Sequence, residues 1–279
     1  MGTVEADYFP LTGRFLQGRL RHSMTDREKE LVESLVESTE RFAEPVRLLA
    51  RGDLADRATL VIEGYVMRAI GEDGHRFIVG LQVPGDFADL HGFALKRLDH
   101  DIVTLGDTVV GFVPHARLER VLDDNPRLAR LLWFASLIDA AIHRQWILKL
   151  EQLTAPRRVA HVFAELWHRL DLVGLGRRDG LRLPLTQTDL ADMCGTTAIH
   201  MNRALAALRR EGIAEFRRGA VYVPDRERLE RFAHFRPDWG EAAEPRERRL
   251  RAGWPSSPPF PRRRHQAPGK VQARAPAAR

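Results

Sequence analysis

The sequence predicts an α+β fold in which an N-terminal antiparallel β-roll of the jelly-roll type precedes a long helix and a C-terminal winged helix-turn-helix. Three features lead to this prediction. The first is a series of short β-prone runs between glycine-containing turns, and the second is a long predicted helix after Pro126 with apolar residues along one side. The third is a helix-turn-helix pattern followed by a hairpin pattern. We expect four segments, which are residues 1–125, 126–153, 154–236 and 237–279.

The first segment begins with a predicted helix over residues 23–50. Ser23 is its expected capping residue, and Asp26 and Glu28 supply an acidic first turn. From about Val46 the composition changes to short apolar runs rich in β-branched residues. These runs are ATLVIEGYVMRAI, HRFIVGLQV, DIVTLGDT and VVGFVPHA. Several short strands at such spacing indicate an antiparallel roll or barrel.

The second segment is predicted to be one helix from Pro126 to about Leu153. Five residues repeat there at four-three spacing, which a two-stranded seam requires: Leu131, Ala135, Ile138, Ile142 and Gln145. A single buried helix shows the same stripe. Because this helix joins the β region to the helix-turn-helix, we expect it to pair with the same helix of a second copy, which makes the protein a homodimer.

The third segment contains a helix-turn-helix from Thr186 to Ile213. Thr186 is placed to cap the first helix, Gly195 supplies the turn, and Gly212 ends the second helix. At 100° per residue, the second helix turns Met201, Leu205 and Leu208 inward. Polar and β-branched residues lie on the opposite face of this helix or directly before its first turn, where they can contact bases and phosphates. They are Thr196, Thr197, Ile199, His200, Arg203 and Arg210.

A predicted hairpin, IAEFRRGAVYVPD, directly follows the second helix. Arg217 and Arg218 lie at its turn, where a wing contacts DNA backbone phosphates. The alternative is a small helical pair whose polar face is only solvated. The charge distribution favours DNA, since residues 1–153 hold 19 basic and 24 acidic side chains, whereas residues 154–236 hold 15 and 10.

Composition excludes several classes of protein. The only cysteine, Cys194, rules out a disulfide framework within the chain and a four-cysteine iron–sulfur cluster. No apolar run reaches the length of a membrane span, and the N-terminus lacks the pattern of a secretory signal. We therefore expect a soluble cytoplasmic protein without a membrane partner.

Three stretches resemble the cyclic-AMP receptor/FNR (Crp/Fnr) family of bacterial transcription regulators. LPLTQTDLADMCGTTAIHMNRALAALRREGI is similar to the family's winged helix-turn-helix, LTAPRRVAHVFAEL to the first helix of that domain, and VPGDFADLHGF to a turn of its sensor domain. The resemblance implies a cyclic-nucleotide-binding-like roll and an inverted-repeat DNA operator bound by a homodimer. We also expect RNA polymerase as a partner. The family's guanine-contacting arginine falls on Arg203.

The sensor domain departs from the nucleotide-binding pattern of that family. The expected effector pocket is the turn with Gly85, Asp86, Phe87 and Asp89, but Asp99-His100-Asp101 stands where the family has an Arg-Ser pair. Two carboxylates would repel a cyclic phosphate, so we expect the effector not to be a cyclic nucleotide. Arg97 could replace the missing arginine only by a shift of register.

Other ligands are weakly indicated. Isolated histidines such as His75, His91 and His100 are usually structural, and we expect neither a metal ion nor a cofactor. Cys194 stands beside the helix-turn-helix turn, where Arg203 and a helix N-terminus could lower its pKa and make it a redox sensor. The structural alternative is a small buried packing residue.

Two other functional classes remain as alternatives. An enzyme would need a nucleophile, a base and an orienting group, and Ser136, Asp139 and His143 share one helix without a recognisable motif, so we expect no enzymatic activity. A sensor or adaptor with a degenerate nucleotide-binding domain could instead act through a protein partner. The basic tail, residues 237–279, is expected to be disordered, and its arginines would attract DNA or simply aid solubility.

Overall fold

The structure, a computed structural model, describes residues 3–237, which lie within one compact unit, Met1–Ala242. The predicted tail, residues 237–279, falls outside this range apart from Pro237. The strands of the first half are β1 (Ser38–Phe42), β2 (Arg47–Leu49), β3 (Arg57–Glu72), β4 (His75–Gln82) and β5 (Asp101–Pro114). The helices of the first half are α1 (Thr3–Tyr8), α2 (Asp26–Leu35), α3 (Gly92–Leu95), α4 (His115–Asp124) and α5 (Pro126–Gln152).

The N-terminal β-roll is a five-stranded antiparallel sheet in the order β1-β5-β3-β4, with β2 also paired to β5. The pairing of β3 with β5 shifts register twice between Val61 and Tyr65. Gly64 lies between them with φ +76°, and a Cβ there would come within 2.5 Å of the Asp107 carbonyl oxygen. This bulge curves the two long strands, and the predicted antiparallel roll is confirmed.

The predicted helix over residues 23–50 is wrong beyond Leu35. Thr25, rather than Ser23, caps α2: its Oγ1 accepts a hydrogen bond from the Glu28 amide, and the Glu28 carboxylate accepts one from the Thr25 amide. The chain then leaves the helix at Val36, and β1 pairs along β5 from Ser38. Pairing with a long neighbouring strand outweighs the local helical preference of the acidic residues.

The long helix α5 begins at the predicted Pro126, but it turns the predicted seam inward. Leu131, Ile138 and Ile142 are buried in the chain's own core, and Ala135 and Gln145 are half-buried. The predicted seam is therefore wrong in its residues. Four-three spacing shows that one side of a helix is apolar, but it does not show whether the same chain or a second copy buries that side. Large exposed apolar side chains lie elsewhere on α5: Trp133, Leu137, Ile147, Leu148 and Leu150.

The C-terminal half is a winged helix-turn-helix, as predicted. Its elements are α6 (Ala155–Leu172), β6 (Gly180–Arg182), α7 (Gln187–Met193), α8 (Ala198–Arg210), β7 (Glu215–Arg217), β8 (Ala220–Tyr222) and α9 (Arg226–Ala233). The three strands form a small antiparallel sheet in the order β6-β8-β7. Apolar side chains of α6, among them Val162 and Phe163, belong to the same buried core as Met201 and Leu205 of α8.

Within residues 3–237, no helix combines the length and the apolar character needed to cross a membrane.

Candidate nucleic-acid interface and sensor cavity

Local capping sets the geometry of the helix-turn-helix. Thr186 Oγ1 accepts a hydrogen bond from the Asp189 amide at 3.1 Å, and the Asp189 carboxylate accepts one from the Thr186 amide at 2.7 Å. Gly195 adopts φ +57° in the turn, and Thr197 Oγ1 accepts from the His200 amide at 3.3 Å. Thr197, and not Thr196, therefore caps the recognition helix α8.

The recognition helix presents the predicted polar face to solvent. Thr197, His200 and Arg203 are exposed, Ile199 is 68% exposed, and Thr196 is half-buried in the turn. Met201, Ala204, Leu205 and Leu208 are buried on the other side. Asn202 is also exposed, and its Nδ2 donates to Gln187 Oε1 at 3.2 Å. An exposed guanidinium and an exposed imidazole therefore lie on one face of α8, and both are groups that can contact base edges.

The wing adds a basic surface beside this helix. Arg217 and Arg218 are exposed, and Arg218 and Gly219 both adopt positive φ at the hairpin turn. Arg182 of β6 is exposed and lines the same concave surface. Sequence reasoning missed Arg182 because β6 is only three residues long and separated from the hairpin by the whole helix-turn-helix. Three guanidinium groups therefore share this surface with one carboxylate, that of Glu215.

A cavity of about 470 Å³ lies between the β-roll, the N-terminal segment and α5. Gly85, Asp86 and Phe87 of the predicted effector turn line it. The prediction that Asp89 belongs to the effector pocket is wrong, because Asp89 does not line the cavity. Its side chain is buried, and its carboxylate accepts hydrogen bonds from the Thr59 amide and hydroxyl. Burial raises the pKa of Asp89 to about 6 despite these donors.

The N-terminal segment covers the effector turn. Gly85 adopts φ +94°, and a Cβ there would come within 2.4 Å of the Arg14 carbonyl oxygen. Phe15 packs edge-to-face on Phe87, with ring centroids 5.6 Å apart. The turn thus requires glycine and is closed on one side by residues that the sequence reasoning did not assign.

A buried ionic network joins the effector turn to the C-terminal half. Arg169 of α6 donates to Asp86 Oδ2 at 2.5 Å and to Glu165 Oε1 at 3.1 Å, and Trp146 of α5 donates to Glu165 Oε2 at 2.6 Å. Arg169, Glu165 and Trp146 are all at most 5% exposed. Burial opposes the charge of Arg169, but Asp86 and Glu165 raise its pKa overall.

A second ionic contact links the β-roll directly to the helix-turn-helix. Arg76 of β4 donates to the carboxylates of Asp189 at 2.5 Å and Asp192 at 2.8 Å, both on α7. Asp189 is the residue that completes the cap of α7. This contact therefore joins strand β4 of the β-roll to the helix that precedes the recognition helix.

Three side chains meet at one wall of the cavity: His91, Asp99 and His100. Burial lowers the pKa of His91 to about 4 and also lowers that of His100, so both imidazoles are neutral at neutral pH. His75 lies elsewhere, exposed at the start of β4, and Arg97 donates to the Gly52 carbonyl outside the cavity. Ser136, Asp139 and His143 also line the cavity, but the Asp139 carboxylate accepts from Arg68 at 2.6 Å.

The redox prediction for Cys194 is corrected. The side chain is fully buried at the end of α7, and burial raises the pKa of its thiol although Lys149 and Arg158 oppose this. A buried thiol with a raised pKa holds little of the reactive thiolate. Cys194 is a packing residue in this structure.

We therefore expect Cys194 in the native protein to react slowly with an aromatic disulfide reagent, and at the rate of a free thiol only after denaturation. The measurement is the release of coloured thiolate with and without urea. A reaction of the native protein as fast as that of the denatured chain would contradict this assignment.

Comparisons with known proteins agree with this architecture. The model of the Crp-like helix-turn-helix domain matches residues 157–232. The chain is 28% identical over 166 residues to the transcriptional activator protein FnrL of Cereibacter sphaeroides, which covers 58% of this chain and 66%, just under two thirds, of that protein. It is 27% identical over 194 residues to the nitrogen fixation regulation protein FixK of Bradyrhizobium diazoefficiens, covering 69% and 80% of the two chains.

Two solved structures share the fold. FixK2 from Bradyrhizobium japonicum superposes with a TM-score of 0.63 at 24% identity, over 75% of this chain and 98% of that one. A CRP/FNR-family regulator from Thermus thermophilus gives a TM-score of 0.56 at 23% identity, over 71% and 100%. Residues 157–232 are therefore similar to a Crp-like helix-turn-helix domain, the chain is similar to the regulators FnrL and FixK, and its fold is the one that the two CRP/FNR-type structures share.

Proposed function

We propose that this protein is a transcription regulator that binds an inverted-repeat DNA operator as a homodimer. The observation that carries the proposal is the exposed face of the recognition helix α8, with Arg203 at its centre and the arginines of the wing beside it. A helix of this size fits the major groove, and the wing arginines can contact the flanking backbone. FnrL, one of the relatives, is named a transcriptional activator.

RNA polymerase is the protein partner of such a regulator, and the cytoplasm is the compartment in which it would meet bacterial DNA. Both follow from the proposed role. The alternative is an adaptor that acts only through a protein partner and uses its helix-turn-helix as a binding surface. Duplex DNA distinguishes the two.

The test is fluorescence anisotropy with a labelled random-sequence duplex and the full chain. We expect binding whose affinity falls steeply as salt rises, because phosphate contacts release counterions. Replacing Arg182, Arg217 and Arg218 of the wing with alanine should weaken this binding and flatten its salt dependence. Absence of duplex binding at low salt would favour the adaptor.

We propose that the dimer forms through the exposed face of α5 rather than through the stripe predicted from the sequence. Trp133 is 65% exposed, Leu137 50% and Ile147 68%. Together with Ala140 and Arg144 they repeat at four-three spacing, and they lie on the opposite side of the helix from Ile142. A two-stranded seam would bury these large apolar side chains, which are costly to leave in water.

Glutamate at Leu137 and Ile147 is therefore expected to convert the dimer to monomers, because two like charges would meet across the seam. Sedimentation measures the mass, and operator binding should weaken in parallel. The control is Tyr8→Glu, which places the same charge on a side chain that is 76% exposed and lies outside α5. A double variant that remains dimeric would contradict the proposed seam.

We propose that the effector is not a cyclic nucleotide. The cavity wall carries Asp99 and His100 where a cyclic phosphate would need an arginine, and Arg97 lies outside the cavity. Asp86 is already engaged by Arg169. Arg19, Arg68 and Arg169 also line the cavity, but Asp139 is paired with Arg68, and Asp86 acts on both Arg169 and Arg19. A cyclic phosphate would therefore compete with these carboxylates for the arginines, which disfavours its burial.

Calorimetry of the full chain with cyclic AMP and cyclic GMP is therefore expected to detect no binding in the micromolar range. Neither nucleotide should change the affinity for DNA. Micromolar binding of either one, coupled to tighter DNA binding, would contradict the proposal.

A further inference from the structure

The loop between β4 and β5 brings two histidines and an aspartate together. The short helix α3 starts directly after His91, and Lys96 reverses the chain with φ +64°. Asp99 and His100 thereby return beside His91, and one ligand atom from each of the three residues lies within 4.8 Å of the others. The imidazole ring centroids of His91 and His100 are 5.2 Å apart.

His100 has an unused nitrogen at this place. The side chain is only 5% exposed, and its Nδ1 lies 2.6 Å from Asp99 Oδ1. Its Nε2 is buried and has no hydrogen-bond partner among residues 3–237. A buried imidazole nitrogen without a hydrogen-bond partner can offer its lone pair to a metal ion. Buried polar nitrogens are rarely left unpaired without a reason.

The local charges are compatible with a cation. Arg68 is a positive charge that acts on both histidines, but its guanidinium is paired with the Asp139 carboxylate at 2.6 Å. Asp99 contributes one negative charge, and its side chain is 79% exposed, so it can move toward an ion without unpacking the core.

The ligand chemistry selects the class of ion. Imidazole nitrogen suits zinc, iron, cobalt and nickel, whereas calcium and magnesium prefer sites made of oxygen ligands alone. All three side chains line the cavity of about 470 Å³, so coordination positions left free by the protein would face that space.

We propose that His91, Asp99 and His100 bind one divalent first-row transition-metal ion on the wall of the sensor cavity. The proposal goes beyond the role in transcription and does not depend on it. The proposal assigns a class of ligand, a metal ion, to a cavity for which we propose no cyclic nucleotide.

The test uses the full chain without an affinity tag, with Co²⁺ as a spectroscopic probe and Zn²⁺ as its competitor. We expect one Co²⁺ per chain, visible absorption bands of a protein-bound ion, and loss of those bands when Zn²⁺ is added. His91→Ala and Asp99→Asn should each weaken Co²⁺ binding at least about tenfold. His75→Ala, which removes an exposed histidine outside the cavity, should leave the titration unchanged.

Asp99→Asn keeps the shape of an exposed side chain, and circular dichroism shows whether each variant is folded. The proposal is overturned if the parent chain binds neither Co²⁺ nor Zn²⁺ in excess metal. It is also overturned if folded Asp99→Asn and His91→Ala bind Co²⁺ as tightly as His75→Ala does. Because metal binding is measured without DNA, its failure is distinguishable from failure to bind an operator.

Discussion

Replacing Arg203 with alanine is expected to abolish sequence-specific DNA binding while the protein remains folded. Arg203 is exposed on the recognition helix, so its removal opens no cavity. An arginine that contacts a guanine through two hydrogen bonds is worth about 1–3 kcal/mol at each half-site. A dimer loses this contribution twice, and even the lower value corresponds to about a 30-fold weaker complex.

The matched control is Arg209→Ala, which removes the same charge from another side of the same helix. Both variants lose the same non-specific attraction to phosphates, so only a base contact separates them. Affinities are compared on the preferred duplex and on a scrambled duplex at one salt concentration. If Arg203→Ala discriminates the two duplexes as well as the parent does, the base-reading face has been assigned to the wrong residues.

Replacing Arg169 with methionine is expected to lower the free energy of unfolding by about 3–5 kcal/mol, because it removes the cation from one fully buried and one largely buried carboxylate. These are Asp86 of the effector turn and Glu165 of α6, and Glu165 is 1% exposed. Urea denaturation followed by circular dichroism measures the loss. Adding Glu165→Gln should recover part of it.

Arg226→Met is the control for Arg169→Met. Arg226 also contacts two carboxylates, those of Asp171 and Glu230, but its side chain is 34% exposed. Ion pairs at the surface contribute about 1 kcal/mol or less. Equal destabilisation by the two substitutions would show that the network around Arg169 is not a buried structural element.

The helix-turn-helix could be predicted from the sequence because its signals are local. The cap at Thr186, the turn at Gly195 and the end of the recognition helix at Gly212, with φ +62°, each depend on a few neighbouring residues. The inward direction of Met201 and Leu205 follows from helical periodicity alone. The outward direction of Arg203 follows in the same way.

Tertiary contacts decided the features that were predicted incorrectly or missed. The stripe around Ile138 has the spacing of a seam, but the β-roll and α6 cover it within one chain. Asp89 has the sequence context of a ligand residue, yet it holds Thr59 of β3. His91 and His100 are nine positions apart, and only the reversal of the chain at Lys96 brings them together.

The most direct test of the central claim is the symmetry of the preferred DNA site. The full chain is incubated with a pool of random duplexes, and bound sequences are recovered and read. We predict an inverted repeat whose half-site centres are about 10–11 base pairs apart, since two recognition helices related by a two-fold axis enter successive major grooves. An asymmetric site without a repeat, or no enrichment of any sequence, would contradict the account.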